Sequence, residues 1–451
     1  MMRGMERFDL VVIGAGTAGE AATYYAAGRG ASVAVVDRDL FGGSCPFWAC
    51  MPSKALLHAA AVHHAGGDYP WPKASDFRDY MINREGIERP DDSGHVTSLE
   101  AAGATVVRGS AALAGPNQVR VGDRLLTTDS VILAVGSVSR VPHDLPGLDA
   151  ASPWTNVQGT GTRQLPTSLA ILGGGPTGVE LAQVYARYGV PVTLVHPRDR
   201  VHDREHRRSS ELLGAALEAE GVRLRLNARA TRVEAAPRGG PHRIELSSGD
   251  TVEGHEILLA IGRDLPLGGL GLETVGVEPK NGRLEPDDRL RVADGVYVAG
   301  DVAGPELHTH LGHYTGEAAA RIALGDADHR PFLDAIPRAT YTSPETASVG
   351  LLVEQAKERG IDAVELTEDI ATSAKGYTAE VGGHVTIVVD RAERILVGAF
   401  MAGPAVSEAI HECVLAIRAR VPLAMLADTI HAFPTVARVL GTVLIRADRE
   451  L

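Results

Sequence analysis

At 451 residues, with 44% apolar and 22% charged side chains, the chain is long enough for roughly three domains and carries no polar or low-complexity tract that argues for disorder. Its formal net charge of −13 repels a phosphate backbone, and no Lys/Arg-rich run interleaved with aromatics offsets it, so nucleic acid is not an expected partner. Three cysteines, an odd number in a large chain, exclude a secreted disulfide framework.

The first apolar run, residues 8–13, is too short to span a membrane and shows no cleavage site; it predicts a buried strand in a cytoplasmic protein with no membrane partner. It leads into Gly14-Ala15-Gly16-Thr17-Ala18-Gly19, an Ala-rich helix to about residue 29, and a second strand over 32–36 that ends at Asp37. The pattern of strand, glycine turn, helix and strand is a βαβ unit with a dinucleotide fingerprint. The first glycine makes the tight turn, the second lets the backbone approach a pyrophosphate, and the third lets helix pack on strand. The diphosphate then meets unpaired N–H groups at the helix N-terminus.

Next comes Gly42-Gly43-Ser44-Cys45-Pro46-Phe47-Trp48-Ala49-Cys50-Met51-Pro52-Ser53-Lys54. On a regular helix, residues five apart point about 140° from one another, with Cα atoms beyond the roughly 7 Å limit for a disulfide. A bridge between Cys45 and Cys50 therefore needs a distorted first turn, which the flanking glycines and Pro46 permit. A helix N-terminus also favours thiolate. Two buried structural cysteines are the other reading of this spacing.

The fingerprint then repeats: a strand over 169–172, Gly173-Gly174-Gly175-Pro176-Thr177-Gly178, a helix to about residue 188, a strand over 192–195, and His196. One such motif is a weak signal, whereas two in the same structural context are strong. Alternating strand and turn signals follow, up to a buried strand over 295–301 that ends at Gly300 and Asp301. From about residue 337 the character changes. Strands over 385–389 and 395–399, with helices over 407–419 and 423–426, predict an α+β third domain. Cys413, in an apolar helical run, reads as core.

Together these motifs resemble the flavoprotein disulfide reductases, a family that includes lipoamide dehydrogenase, glutathione reductase and mercuric reductase. The resemblance covers essentially the whole chain. The family pattern Gly-Gly-x-Cys-x-x-x-x-Cys-x-Pro-Ser-Lys is matched, except that Ala49 replaces a usual glycine. The implied fold is α/β, with two Rossmann-like domains for FAD and NAD(P) and an α+β C-terminal dimerisation domain. The implied layout is an FAD domain over 1–150 that resumes over 265–335, an NAD(P) domain over 151–264, and a dimerisation domain over 336–451. Cys45 is then the interchange thiol, Cys50 the thiol beside the flavin, Lys54 the cation near flavin N5, and Glu180 its partner. Gly14, Gly16, Gly19, Asp37, Gly300 and Asp301 are the expected FAD contacts, Asp37 at the adenosine ribose and Asp301 at the ribityl chain. Gly173, Gly175, Gly178, His196, Arg198 and Gly262 complete the cofactor-binding set. No metal site is expected.

The chain departs from the family in two places. The position that holds a carboxylate in an NAD site is His196, with Arg198 and Arg200 nearby, which favours NADP over NAD as the cofactor. The other reading is solvated loop charges, since Asp199 and Asp203 lie among them. Near the C-terminus the family's His-Pro-Thr-x-x-Glu becomes Phe433-Pro434-Thr435-Val436-Ala437-Arg438. Neither a phenyl ring nor a guanidinium can protonate a leaving thiolate. His431, displaced by two residues, is a substitute acid/base only with a shift of about 7 Å along an extended segment. His308, His310 and His313 are candidates for proton relay or for plain core and surface roles. The tail lacks the cysteine pair of mercuric reductases. The expectation is a homodimeric enzyme passing electrons from NAD(P)H to an unidentified small-molecule acceptor. The alternatives are a quinone- or oxygen-type reductase using flavin directly, and a flavin-binding redox sensor with little turnover.

Overall fold

The computed structural model describes residues 6–237 and 239–451; residues 1–5 of the expected first domain lie outside them. The chain divides into two compact units. The first takes the chain up to Ala55, Ser75–Arg140 and Gly262–Pro331, and the second takes Leu56–Ala74, Val141–Ile261 and Phe332–Leu451. The first βαβ fingerprint and the cysteine segment thus fall in one unit, and the second fingerprint falls with the C-terminal region in the other.

In the first unit, a mainly parallel sheet runs in the order Arg291–Ala293, Val296–Val298, Arg124–Leu133, Glu6–Ile13, Val33–Asp37, Thr105–Arg108. Leu10 pairs with Val33 on one side and Ser130 on the other. Leu10, Val11, Val12 and Ile13 are all buried, as expected of a strand covered on both faces. The helix Thr17–Gly28 lies on this sheet and packs along Thr309–Ala323, its alanines allowing close approach.

In the second unit, the parallel sheet Arg223–Arg225, Val192–Val195, Leu169–Leu172, Glu256–Leu259 carries the second fingerprint. A separate antiparallel sheet orders Arg338–Thr340, Glu345–Gly350, Ile395–Gly403, His384–Asp390 and Ala363–Asp369. Helices Val406–Ala419 and Val436–Glu450 cover it. The second of these was not among the predicted elements, although Val436, Val439, Leu440, Val443, Leu444 and Ala447, all buried, follow the helical period. Cys413 is fully buried in this core, where burial pushes its thiol up, as its apolar surroundings suggested. No described helix is long and apolar enough to cross a membrane.

Charged and polar groups join the two halves of the second unit. Arg338 Nε donates to Glu205 Oε1 at 2.8 Å, and Ser348 Oγ to Glu205 Oε2 at 2.6 Å. Burial works against ionisation of Glu205, but the Arg338 guanidinium outweighs it and holds the carboxyl below its usual range.

Candidate functional site

The two glycine loops share one geometry. Gly14 and Gly173 have φ of +101° and +113°, the left-handed region that a turn from strand into helix requires here. A Cβ at Gly19 would lie 1.8 Å from the Gly14 carbonyl oxygen, and one at Gly178 would lie 2.0 Å from that of Gly173. The middle glycines cap their helices without any side-chain hydrogen bond. A Cβ built on Gly175 meets nothing within 4 Å, and one on Gly16 meets only the Gly43 Cα at 3.8 Å. Each loop therefore leaves free N–H groups and open backbone at a helix N-terminus, which fits a dinucleotide diphosphate.

The cysteine segment docks on the first of these loops. Gly16 and Gly42 form a parallel bridge, and a Cβ on Gly43 would lie 2.7 Å from the Gly16 Cα. His95 packs against Gly42 and is held by Glu20 at 2.7 Å; that hydrogen bond raises the imidazole's pKa. The helix after Gly43 breaks after one turn. Ser44–Trp48 ends at Ala49, whose φ of −129° and ψ of −92° are non-helical, and a new helix, Cys50–His64, begins. The distortion lies at Ala49 and not at Pro46. Across the break the Thr309 hydroxyl lies 3.2 Å from Cys50 Sγ. Hydrogen bonding to Cys50, with burial, pushes the Cys45 thiol up. Lys54, half-buried, follows one turn later.

Asp301 sits in the short helix Gly300–Val302, at the end of its strand. It accepts a hydrogen bond from Ser137, which is itself held by Arg263 through Nε to its hydroxyl and Nη2 to its carbonyl, each at 2.6 Å. Gly262, with φ of +121°, turns the chain into Arg263. Ser137, Arg263 and Thr309 were not singled out in the sequence, because nothing local marks them. Asp37 Oδ2 accepts the Ala15 N–H at 2.7 Å, and burial raises its pKa.

His196 takes the corresponding place in the second loop. Its Nδ1 accepts the Gly174 N–H at 3.0 Å, so its proton is on Nε2, which faces Asp203 Oδ1 at 3.1 Å. Burial holds its pKa below the usual imidazole range. His196 is thus a neutral brace of the loop rather than one of three clustered cations, which corrects the picture drawn from the sequence. Arg200 is tied to Asp199 and to the Asp203 carbonyl. Arg198 is exposed, with only a 3.7 Å approach to Asp203.

Glu180 is 4% exposed, and its Oε1 accepts the Tyr341 N–H at 3.0 Å. The preceding residue, Thr340, meets His202 Nε2 at 2.9 Å, and the His202 N–H donates to the Gly174 carbonyl at 2.8 Å. The second glycine loop and Glu180 are therefore linked by a chain of buried hydrogen bonds.

In the C-terminal region Phe433 is 73% exposed. Thr435 caps the last helix by accepting the Arg438 N–H at 3.1 Å. Arg438 is the third helical residue, where a glutamate would close a capping box and an arginine opposes the helix dipole. His431 does not offer a displaced acid/base: its side chain is 3% exposed, with Nε2 at 3.0 Å from Glu412 Oε1.

Residues 8–321 match the family model described as pyridine nucleotide-disulphide oxidoreductase, and residues 336–444 match the dimerisation domain of the same family. A dihydrolipoyl dehydrogenase of Thermus scotoductus is 33% identical over 96% of this chain and 96% of its own length. A mercuric reductase of Staphylococcus aureus is 27% identical over 98% of this chain and 83% of its own. Among solved structures, LpdA from Mycobacterium tuberculosis superposes with a TM-score of 0.85 at 26% identity, covering 98% of this chain and 99% of its own. The HOCl-induced flavoprotein disulfide reductase RclA from Escherichia coli shares the fold, with a TM-score of 0.85 at 23% identity over 97% of this chain and 99% of its own.

Proposed function

Because the chain belongs to the pyridine nucleotide-disulphide oxidoreductase family, whose members use FAD and NAD(P)H, we propose that it passes electrons from NADPH through FAD and the Cys45–Cys50 pair to a small-molecule acceptor other than lipoamide or glutathione disulfide. FAD supplies the two-electron carrier between nicotinamide and dithiol. The observation that carries the reading is the helix break at Ala49, which sets the two cysteines of the motif on consecutive helices, with the Thr309 hydroxyl 3.2 Å from the Cys50 sulfur. Lys54 opposes negative charge at the flavin. Asp301, steadied by Ser137 and Arg263, holds the ribityl chain, and Asp37 serves the adenosine ribose. The dimerisation domain supports a homodimer.

Anaerobic titration tests the route. The parent takes up two reducing equivalents of two electrons each, one in the flavin and one in the dithiol, and Cys45→Ser takes up one. A parent that accepts a single equivalent refutes the proposal.

The nucleotide preference rests on Arg198, the exposed cation beside the second loop. A guanidinium on a 2′-phosphate contributes about 1.5–3 kcal/mol as a charge-assisted bond, so Arg198→Ala lowers kcat/KM for NADPH by about ten- to a hundredfold and leaves NADH nearly unchanged. Equal use of both nucleotides by the parent, unaltered in Arg198→Ala, contradicts this.

The acceptor is set by Phe433 and Arg438. The exposed phenyl ring offers an apolar wall, and Arg438, which a helix N-terminus disfavours by about 0.3–1 kcal/mol, offers an anchor for a negatively charged or quinone-like group.

A further inference from the structure

The helix that opens at the first glycine loop carries an acid where an anion is to bind. Glu20 stands in the first turn of Thr17–Gly28, and its N–H donates to the carbonyl of Gly16, the N-cap, at 2.9 Å. A carboxylate there stabilises the empty helix by opposing its dipole, and for the same reason it competes with an anionic ligand at that end. Its side chain is 17% exposed, so water screens it poorly. The ion-pair partner of Glu20 among the described residues is His95, whose Nδ1 lies 2.7 Å from Glu20 Oε1.

His95 comes from the helix Ser93–Ala101 and reaches two structures at once. Its ring lies over Gly42, where a Cβ would sit 2.7 to 2.9 Å from three ring atoms, and it meets the Phe47 ring edge-on with centroids 5.5 Å apart. The Gly42 N–H donates to the Ala15 carbonyl of the glycine loop at 2.8 Å. The imidazole is thus wedged between the first turn of the diphosphate helix and the turn that opens the cysteine segment. The other titratable groups around it are Asp92 and Tyr24. Asp92, the N-cap of the His95 helix, accepts the Phe41 N–H and Arg108 Nη2, each at 2.8 Å. Tyr24 lies on the helix of Glu20, and burial, with the Glu20 charge, keeps its phenol protonated. The hydrogen bond to Glu20 favours the imidazolium against the cost of burial, and Asp92 adds to it.

We propose that His95 is a positioning residue for the flavin site: its positive charge cancels that of Glu20, and so sets how tightly the protein holds FAD. The inference rests on the first loop being the FAD site, as proposed above. When the imidazole loses its proton, an uncompensated carboxylate is left on the helical turn that receives the diphosphate. Bound FAD, itself an anion, favours the imidazolium further. Retention is therefore strongest while the proton is present, and it weakens as pH rises through a His95 pKa that lies above its ordinary value.

The experiment dilutes the holoenzyme across a pH series from about 6 to about 9 and follows released FAD by its fluorescence. The parent should hold FAD about two- to fivefold less tightly at the alkaline end, the usual worth of one charge in the first turn of a helix. His95→Gln should be as weak as that at every pH. Glu20→Gln should hold FAD tightly with little pH dependence. The double variant His95→Gln, Glu20→Gln separates charge from packing: cancelled charge predicts recovery of tight binding, whereas simple support of the Gly42 turn predicts none. A double variant as weak as His95→Gln overturns the inference. So does a Glu20→Gln variant that keeps the parent's pH profile, which decides the matter even where His95→Gln fails to fold. A parent that carries no FAD overturns the reading of the first loop itself.

Discussion

Two-electron reduction of the protein will produce a long-wavelength absorption band, and Cys50→Ser will abolish it. The expectation follows from the roles of the two thiols. The family resemblance places Cys50 beside the flavin and Cys45 as the interchange thiol, and hydrogen bonding to Cys50 together with burial pushes the Cys45 thiol up, the direction that this assignment requires. A thiolate against the flavin ring donates charge to it, whereas a serine hydroxyl stays protonated at neutral pH and cannot. Cys45→Ser should behave differently, because Cys50 then has no partner to form a disulfide with and stays reduced, so that its thiolate gives the band before any reductant is added. Survival of the band in Cys50→Ser, or a protein that binds no flavin, ends the central reading.

The second large effect concerns the acceptor. Lipoamide and glutathione disulfide should turn over about 10²–10⁴-fold more slowly than they would with an acid/base pair in place, the usual contribution of general acid–base assistance, while a quinone is far less affected. A disulfide substrate needs a proton delivered to its leaving thiolate on the side from which it enters. The residues expected to provide this are Phe433, exposed and apolar, and Arg438, which cannot give up its proton. His431 cannot step in from two residues away, since its ring is buried against Glu412. The double variant Phe433→His, Arg438→Glu rebuilds the imidazole and its carboxylate. It also completes the capping box begun by Thr435, so the change is expected to be tolerated by the last helix. Disulfide turnover should rise in this variant while quinone turnover changes little. Rapid reduction of either disulfide by the parent would sink the proposal.

The parts of the site that were legible in the sequence are those enforced by local backbone demands. Gly14 and Gly173 need a left-handed turn, Gly19 and Gly178 have no room for a Cβ, and the strands around them are buried on both faces. Requirements of this kind leave a spaced pattern within about twenty residues, and two such patterns with a Gly-Gly-x-Cys segment between them carried the resemblance. The last helix, Val436–Glu450, is written in the sequence by the same logic, in the helical period of its buried apolar residues. Tertiary packing alone decided the rest. It brought Thr309 to Cys50 across 259 positions, and Ser137 to Asp301 across 164. It turned His196 inward to brace Gly174 as a neutral acceptor, and buried His431 against Glu412. A sequence states which donors, acceptors and charges are available. Which partner each one meets, and hence its protonation and reach, depends on neighbours that only the folded chain supplies.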